Sequence, residues 1–131
     1  MSRFAPHAFA LLRFMAGAMF ILHGTRKLWG WPGGRQPSTA TLSIVGGWIE
    51  VAGGAMIAIG LFAGFAAFIA SGMMAVAYWM RHGTDAFWPI ENRGEPAVLY
   101  CFLFLWIAAH GAGQWSVDWW LKRRSTASRT T

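Results

Sequence analysis

The stretch of residues 46–64, GGWIEVAGGAMIAIGLFAG, decides how the rest of the chain is interpreted. It is almost wholly apolar or small, yet it carries one carboxylate, Glu50, well inside the run. Gly46, Glu50, Gly53 and Ile57 recur at spacings of three or four, which places them on one stripe of a helix. Stripes of small residues let helices approach closely in lipid. Because a charge in hydrocarbon must be paired, protonated or turned toward a wet cavity, we predict a central membrane helix with Glu50 in the bundle interior.

The composition is that of a membrane protein. Of the 131 residues, 56% are hydrophobic and only 12% are charged, about half of what a soluble domain carries. The net charge of +6 comes from basic residues at segment ends and in connections, a pattern that indicates membrane topology and gives no reason to expect nucleic-acid binding. The single cysteine, Cys101, excludes an intramolecular disulfide and a cysteine-rich metal site.

Four apolar segments are long enough to span a bilayer. The predicted spans are 8–29, 42–60, 65–81 and 96–114. The connection between the second and third is so short that these helices must be antiparallel neighbours. A tail segment at 116–124, with tryptophans, a basic triplet and Ser116 as its N-cap, is predicted to lie at the membrane interface. The predicted fold class is therefore all-α, a transmembrane four-helix antiparallel bundle forming a single domain over residues 1–131.

Four spans place both termini on one side of the membrane, and the basic residues are divided evenly. The side of the termini has five basic residues: Arg3, Lys122, Arg123, Arg124 and Arg129. The side of the two long connections (the loop side) also has five: Arg26, Lys27, Arg35, Arg81 and Arg93. The basic triplet directly follows the last span, and Asp118 is the only acid on its side. The positive-inside rule therefore favours cytoplasmic termini.

Counting depth along the predicted helices brings several polar residues to one level on the loop side. At ~1.5 Å per residue, His23 lies ~9 Å and Glu50 ~12 Å from that surface, and Tyr100 lies ~6 Å in. Lys27 lies above them and its long side chain can reach down. The connections cap this layer with further polar residues: Arg81, His82, Glu91, Arg93 and Glu95. The candidates for binding a ligand or handling a proton are Glu50, His23, Lys27, Glu95 and Tyr100.

Each of these candidates also has a structural interpretation. Glu50 could form an ion pair with Lys27 or Arg26 that fixes helix register, or it could be a carboxylate that handles protons or a quinone. His23 could bond a backbone carbonyl of a neighbouring helix, or it could bind a quinone carbonyl or titrate near neutral pH.

A second polar layer, on the terminal side, is interpreted as structural. It contains Arg13, His110 and Asp118, with Arg13 expected to reach the cytoplasmic headgroups or to pair with Asp118. Since His23 and His110 lie at opposite ends of the predicted bundle, no haem is expected within this chain. No metal site is expected either, and the motifs HExxH, GxGxxG and the P-loop do not occur.

The motifs together resemble those of the DoxX family. The resemblance is carried by LLRFMAGAMFILHGTRKLWGW at 11–31, GGWIEVAGGAMIAIGLFAGFAA at 46–67, the H…FWP…N-x-GE…LY run at 82–100 and GQWSVDWWL at 113–121. Residues 62–64 depart from it, because members often carry Thr-Arg there. The resemblance implies a four-helix protein of the bacterial inner membrane, and the family name refers to a subunit of a thiosulfate:quinone oxidoreductase. It carries over four polar positions, without their roles: His23, Lys27, Glu50 and Glu95.

Three functions are compatible with these observations. The first is a subunit of a quinone-linked or oxidative-stress redox complex, in which a loop-side pocket between the first, second and fourth helices binds a quinone head group. The second is a structural or assembly subunit whose charges only lock the bundle. A small transporter or channel is less favoured, because no inverted repeat is visible. Expected partners are the lipid bilayer and either further copies of the chain or other membrane redox subunits.

Overall fold

The computed structural model describes residues 2–34 and 36–127, so Arg35 and Arg129 of the orientation argument lie outside the described residues. Within these ranges the chain is helical and contains no strand. A single 3-10 turn at Ser2–Phe4 leads into five α-helices: α1 Ala5–Trp29, α2 Thr41–Ile59, α3 Ala63–Arg81, α4 Glu95–His110 and α5 Val117–Ala127.

Three of the helices, α1, α2 and α3, are long and apolar enough to cross a membrane. The fourth apolar helix has only 16 residues, and it ends at His110 rather than near the predicted residue 114. The backbone leaves the helix here because Gly111 and Gly113 adopt positive φ angles of 83° and 68°, which glycine accepts without steric cost. At ~1.5 Å per residue, α4 is ~24 Å long and shorter than a ~30 Å hydrocarbon core.

Helices α1 and α2 touch through their backbones. A Cβ atom added to Gly17 would lie 2.5 Å from the carbonyl oxygen of Gly54, and one added to Gly24 would lie 2.5 Å from that of Gly47. The predicted stripe was therefore displaced by one residue, since Gly53 has open space where its side chain would be. The buried face of α2 passes through Gly47, Glu50, Gly54, Ile57 and Ala58. The predicted close approach of helices through glycine is therefore present, but it is made by Gly47 and Gly54 rather than by Gly46 and Gly53.

The other interfaces use alanine and aromatic side chains. Ala66, Ala67 and Ala70 of α3 are buried in one core with Phe104 and Ile107 of α4. The Ser71 hydroxyl adds a hydrogen bond of 2.8 Å to the carbonyl oxygen of Cys101. Helix α1 contacts α4 through Phe20, whose ring centroid lies 4.8 Å from that of Phe104. Each of the four apolar helices is thereby packed on two others.

In the terminal-side layer, hydrogen bonds from Arg13 and to Asp118 join the ends of the helices. Arg13 is only 2% exposed, and its guanidinium donates to the carbonyl oxygens of Ile57 at 3.0 Å and Trp115 at 2.9 Å. Its guanidinium is therefore held inside the bundle, and in the described chain it forms no ion pair within 4.0 Å with Asp118, although such a pair was one of the two expectations. Asp118 instead accepts hydrogen bonds from the backbone N–H groups of Phe62 and Ala63, at the start of α3.

These contacts have a common physical reason. A guanidinium in an apolar environment needs acceptors, and the carbonyl groups at the end of α2 and before α5 can accept its hydrogen bonds, although that of Ile57 also accepts one of 3.2 Å from the Gly60 N–H. The carboxylate of Asp118 caps the positive end of the α3 dipole. His110, the third residue of this layer, is exposed and packs its ring 4.3 Å from that of Phe9.

Helix α5 begins as predicted and ends three residues later than expected. The Ser116 hydroxyl accepts a hydrogen bond of 3.1 Å from the backbone N–H of Trp119, which confirms Ser116 as the N-cap. Arg124 lies over the Trp120 ring at 3.7 Å. A helix that carries tryptophan and basic side chains without burying a residue suits a membrane interface.

Candidate functional site

A cavity of about 660 Å³ lies at the loop side, where α1 and α3 end and α2 and α4 begin. All four apolar helices contribute to its lining. Its wall is mainly apolar, and its polar groups come from a few positions. These are the side chains of His23, Lys27, Ser43, Glu50, Arg81, His82, Arg93 and Tyr100.

Glu50 is the buried carboxylate of this cavity. Its side chain is 3% exposed, and Oε1 accepts a hydrogen bond of 2.6 Å from the Lys27 ammonium, whose side chain is 37% exposed. The ion pair joins α1 to α2, and Lys27 rather than the exposed Arg26 is the partner. The second oxygen, Oε2, is buried and has no hydrogen-bond partner among the described residues. Glu50 thus belongs to an ion pair and to a cavity wall, and one of its oxygens is uncommitted.

His23 on α1 and Tyr100 on α4 lie beside each other in the lining. Their rings meet edge to face with centroids 6.0 Å apart, so His23 contacts an aromatic ring of α4. Phe20, one turn below His23, also lines the cavity, and its ring lies tilted against that of Tyr100 with the centroids 5.8 Å apart. An imidazole and a phenol are therefore presented to the same space as the Glu50–Lys27 pair.

Glu95 was predicted with this group, but the structure separates it. It is the first residue of α4, it is exposed, and it does not line the cavity. The reason is helical geometry, since Ala97 and Tyr100 face the cavity and Glu95 is rotated by about 160° from the first and about 140° from the second. Four of the five candidates therefore meet at one cavity, and Glu95 lies outside it.

Sequence reasoning missed the contribution of α3. Met73, Met74, Ala77 and Met80 line the cavity, although the pocket was expected between the first, second and fourth helices. Their spacing of three and four was the available signal, but methionine and alanine on such a stripe are ordinary packing residues. Nothing in the sequence separates a cavity wall from a filled core at these positions.

The loop-side rim of the cavity is basic. Arg81, His82 and Arg93 line it, whereas Glu91 and Glu95, which were expected in the same layer, do not. In the part of the chain that is described, neither Arg81 nor Arg93 has a carboxylate within 4.0 Å. The rim is thus a positive edge above an apolar cavity.

Asn92 organises the connection between α3 and α4 that carries this rim. It is 6% exposed, and its amide donates to the Tyr78 hydroxyl at 3.0 Å and to the carbonyl of Ala86 at 2.8 Å. Its side-chain oxygen accepts from the N–H of Gly94 at 2.8 Å, and its backbone carbonyl lies 2.9 Å from His82 Nδ1. The sequence held no specific signal for this network, because an asparagine in a polar connection is usual.

This geometry defines what the cavity can do chemically. Lys27 supplies N–H donors, Glu50 Oε2 supplies a free acceptor, and His23 and Tyr100 can donate or accept. A low-dielectric wall strengthens each of these contacts. The site therefore suits a small polar ring or head group with both acceptor and donor oxygens, bound among apolar side chains.

Comparison with known proteins agrees with the sequence motifs. Residues 8–83 match the model of the DoxX family. The chain belongs to the DoxX family. This match covers α2, α3 and all but the first three residues of α1, with His23, Lys27 and Glu50, whereas Tyr100 and Glu95 lie beyond it.

A relative in Haemophilus influenzae is 39% identical over 125 residues, covering 90% of this chain and 93% of the relative. That protein is described as uncharacterized, so its name assigns no ligand or reaction. No solved structure matches the chain.

Proposed function

We propose that this DoxX protein is an integral membrane subunit of a quinone-linked redox complex, and that its loop-side cavity binds a quinone head group. The observation that carries the proposal is Glu50, a residue of the cavity wall that is paired with Lys27 through Oε1 and whose other oxygen, Oε2, is buried without a partner. A buried acceptor without a partner costs about 1–3 kcal/mol, and a ligand hydroxyl would remove that cost.

The membrane arrangement that we propose is an antiparallel bundle of α1 to α4 in the bacterial inner membrane. The basic triplet after α4 supports cytoplasmic termini, which places the cavity near the opposite surface. The short α4 would be accommodated by local thinning of the bilayer or by flanking residues that snorkel. Further copies of the chain or other redox subunits would pack on its exposed helix faces.

A quinone supplies two-electron, two-proton chemistry when it is bound, and the electrons would come from a partner protein. Each residue of the cavity then has a definite task. Lys27 donates a hydrogen bond to one ring oxygen. Glu50 Oε2 accepts from the hydroxyl form or holds the proton to be transferred. His23 and Tyr100 lie where a proton could pass toward the loop-side surface.

The test is Glu50→Gln in the complex purified from its own membranes. Glutamine keeps an oxygen acceptor for Lys27 but replaces Oε2 by an NH₂ donor, so assembly should persist while quinone-linked turnover falls roughly 100-fold, within the range for loss of a general acid–base group. Glu95→Gln, at the same surface but outside the cavity, is the matched control and should leave turnover unchanged. Wild-type complex without extractable quinone, together with normal turnover in Glu50→Gln, would refute the proposal.

A structural or assembly subunit is the second candidate, and the Lys27–Glu50 ion pair itself favours it. The pair links α1 to α2 at their loop-side ends and could serve only to set helix register. In that case Glu50→Gln would lower the amount of assembled complex and leave the turnover of each assembled complex intact.

A further inference from the structure

Direct contacts narrow three of the four sides of the cavity. Between α1 and α2 the helix backbones touch at Gly24 and Gly47. Between α1 and α4 the rings of Phe20 and Tyr100 pack at 5.8 Å. Between α3 and α4 the hydrogen bond from Asn92 to the Tyr78 hydroxyl fixes the connection against α3. At the level of these contacts a chain would have to displace them to leave, and above them the exposed lining includes the polar side chains of His23 and Arg93.

The fourth side, between α2 and α3, is different. Leu42 and Val45 on α2 line the cavity and are 59% and 51% exposed. Val76 and Met80 on α3 also line the cavity and are 56% and 53% exposed. A side chain that lines a cavity and is also more than half exposed lies at its mouth. The mouth between α2 and α3 is therefore apolar.

The interior leads directly to this mouth. Gly46 has no side chain, and a Cβ placed there would meet only Lys27 Nζ and the Met73 sulfur, both at 3.9 Å. Both residues line the same cavity as Glu50. Apolar groups thus continue from the ion pair to the outer surface of the helices, where a bilayer would place acyl chains.

We infer that the ligand carries a long apolar chain, which leaves the cavity between α2 and α3 and lies in the bilayer. The inference rests on the proposed function and assigns the isoprenoid tail of a membrane quinone to one exit from the cavity. A cavity of about 660 Å³ has the size of an ordinary small-molecule site and holds a head ring with the first part of a chain. The remainder of the chain must exit, and the apolar mouth is the exit that keeps it out of water.

The experiment measures equilibrium binding to the full chain in lipid nanodiscs, with two labelled quinones that share one ring. One quinone carries a long isoprenoid tail and the other a methyl group in its place. Val76→Trp narrows the mouth from α3, and Val45→Trp narrows it independently from α2. Ile69→Trp is the control, because Ile69 is 42% exposed on the same face of α3 but two turns away and outside the cavity.

The wild-type protein should bind the tailed quinone more tightly than the tail-less one. Either mouth variant should weaken binding of the tailed quinone by roughly 10-fold or more, since displacing even two buried methylene groups has an effect of that size. Binding of the tail-less quinone should change less than 2-fold, as should both affinities in Ile69→Trp. Comparing each variant with wild type for one quinone at a time cancels the unequal partitioning of the two quinones into lipid.

The outcomes separate the inference from the proposed function. If wild type binds both quinones but neither mouth variant affects the tailed one, or if both affinities fall together, the tail does not pass between α2 and α3 and only the inference fails. If wild type binds neither quinone, the proposed function itself is refuted, and the inference with it.

Discussion

Substituting alanine for two adjacent glycines of α2, Gly53 and Gly54, should affect the stability of the protein differently. A Cβ at Gly54 would lie 2.7 Å from the carbonyl oxygen of Gly17 and 3.0 Å from the backbone nitrogen of Ile21, whereas a Cβ at Gly53 would meet nothing within 4 Å. Ordinary contact begins at 3.4 Å, so at Gly54 α1 and α2 must separate by about 0.7 Å. Backbone atoms cannot rotate away as a side chain can, and the strain is shared by the whole interface.

We expect Gly54→Ala to destabilise the protein by about 1–3 kcal/mol, the usual cost of overpacking. Gly53→Ala should be neutral or stabilising by up to about 1 kcal/mol, because alanine favours the helix and fills open space. The measurement is reversible unfolding in detergent micelles, followed by tryptophan fluorescence. Equal effects of the two substitutions would show that the α1–α2 contact is not made through Gly54, and would refute the close approach of the two helices at that level.

Two further substitutions test the polar layers. Lys27→Met leaves the Glu50 carboxylate buried without its cation and should destabilise the protein by about 3 kcal/mol, the low end for a buried pair because Lys27 is partly solvated. The double variant Lys27→Met/Glu50→Gln should recover more than half of this lost stability in the same unfolding assay. If the double variant recovers none of it, Glu50 is not paired with Lys27. Asp118→Ala removes the acceptor for two N–H groups at the start of α3 and should destabilise the protein by about 1–2 kcal/mol. Hydrogen exchange of the Phe62 and Ala63 amides should accelerate in this variant, and it should stay unchanged in the control Asp85→Ala, which replaces an exposed carboxylate. Equal exchange rates in the two variants would exclude Asp118 as the cap of α3.

The positions of the helices were largely predictable, and their packing was less so. Alternation of apolar runs with glycine-, proline- and charge-rich connections locates α1, α2 and α3 closely. The end of α4 was wrong, because hydropathy continues past His110 while the backbone turns at Gly111. The row of contacting glycines was wrong by one residue, since Gly53 and Gly54 are adjacent and a helical stripe accommodates either.

The candidate site was predictable to the extent that it depends on depth. Counting rise per residue placed Glu50, His23 and Tyr100 at one level, and the structure brings them to one cavity. Rotation about the helix axis was not predictable at α4, which is why Glu95 was included. The part played by Asn92 depends on how a loop folds back on α3, and no local pattern encodes that.

The two interpretations of Glu50 turn out to use different atoms. Lys27 occupies Oε1, which is sufficient to hold α1 and α2 in register, while Oε2 remains without a partner beside the cavity. A ligand hydroxyl that reached the buried Oε2 atom could therefore bind it while the ion pair stays intact. Conversely, protonation at Oε2 would weaken the attraction to Lys27 without removing the acceptor that it uses. A structural role for the ion pair thus does not compete with a proton-handling role for the carboxylate, since the first keeps the second in position.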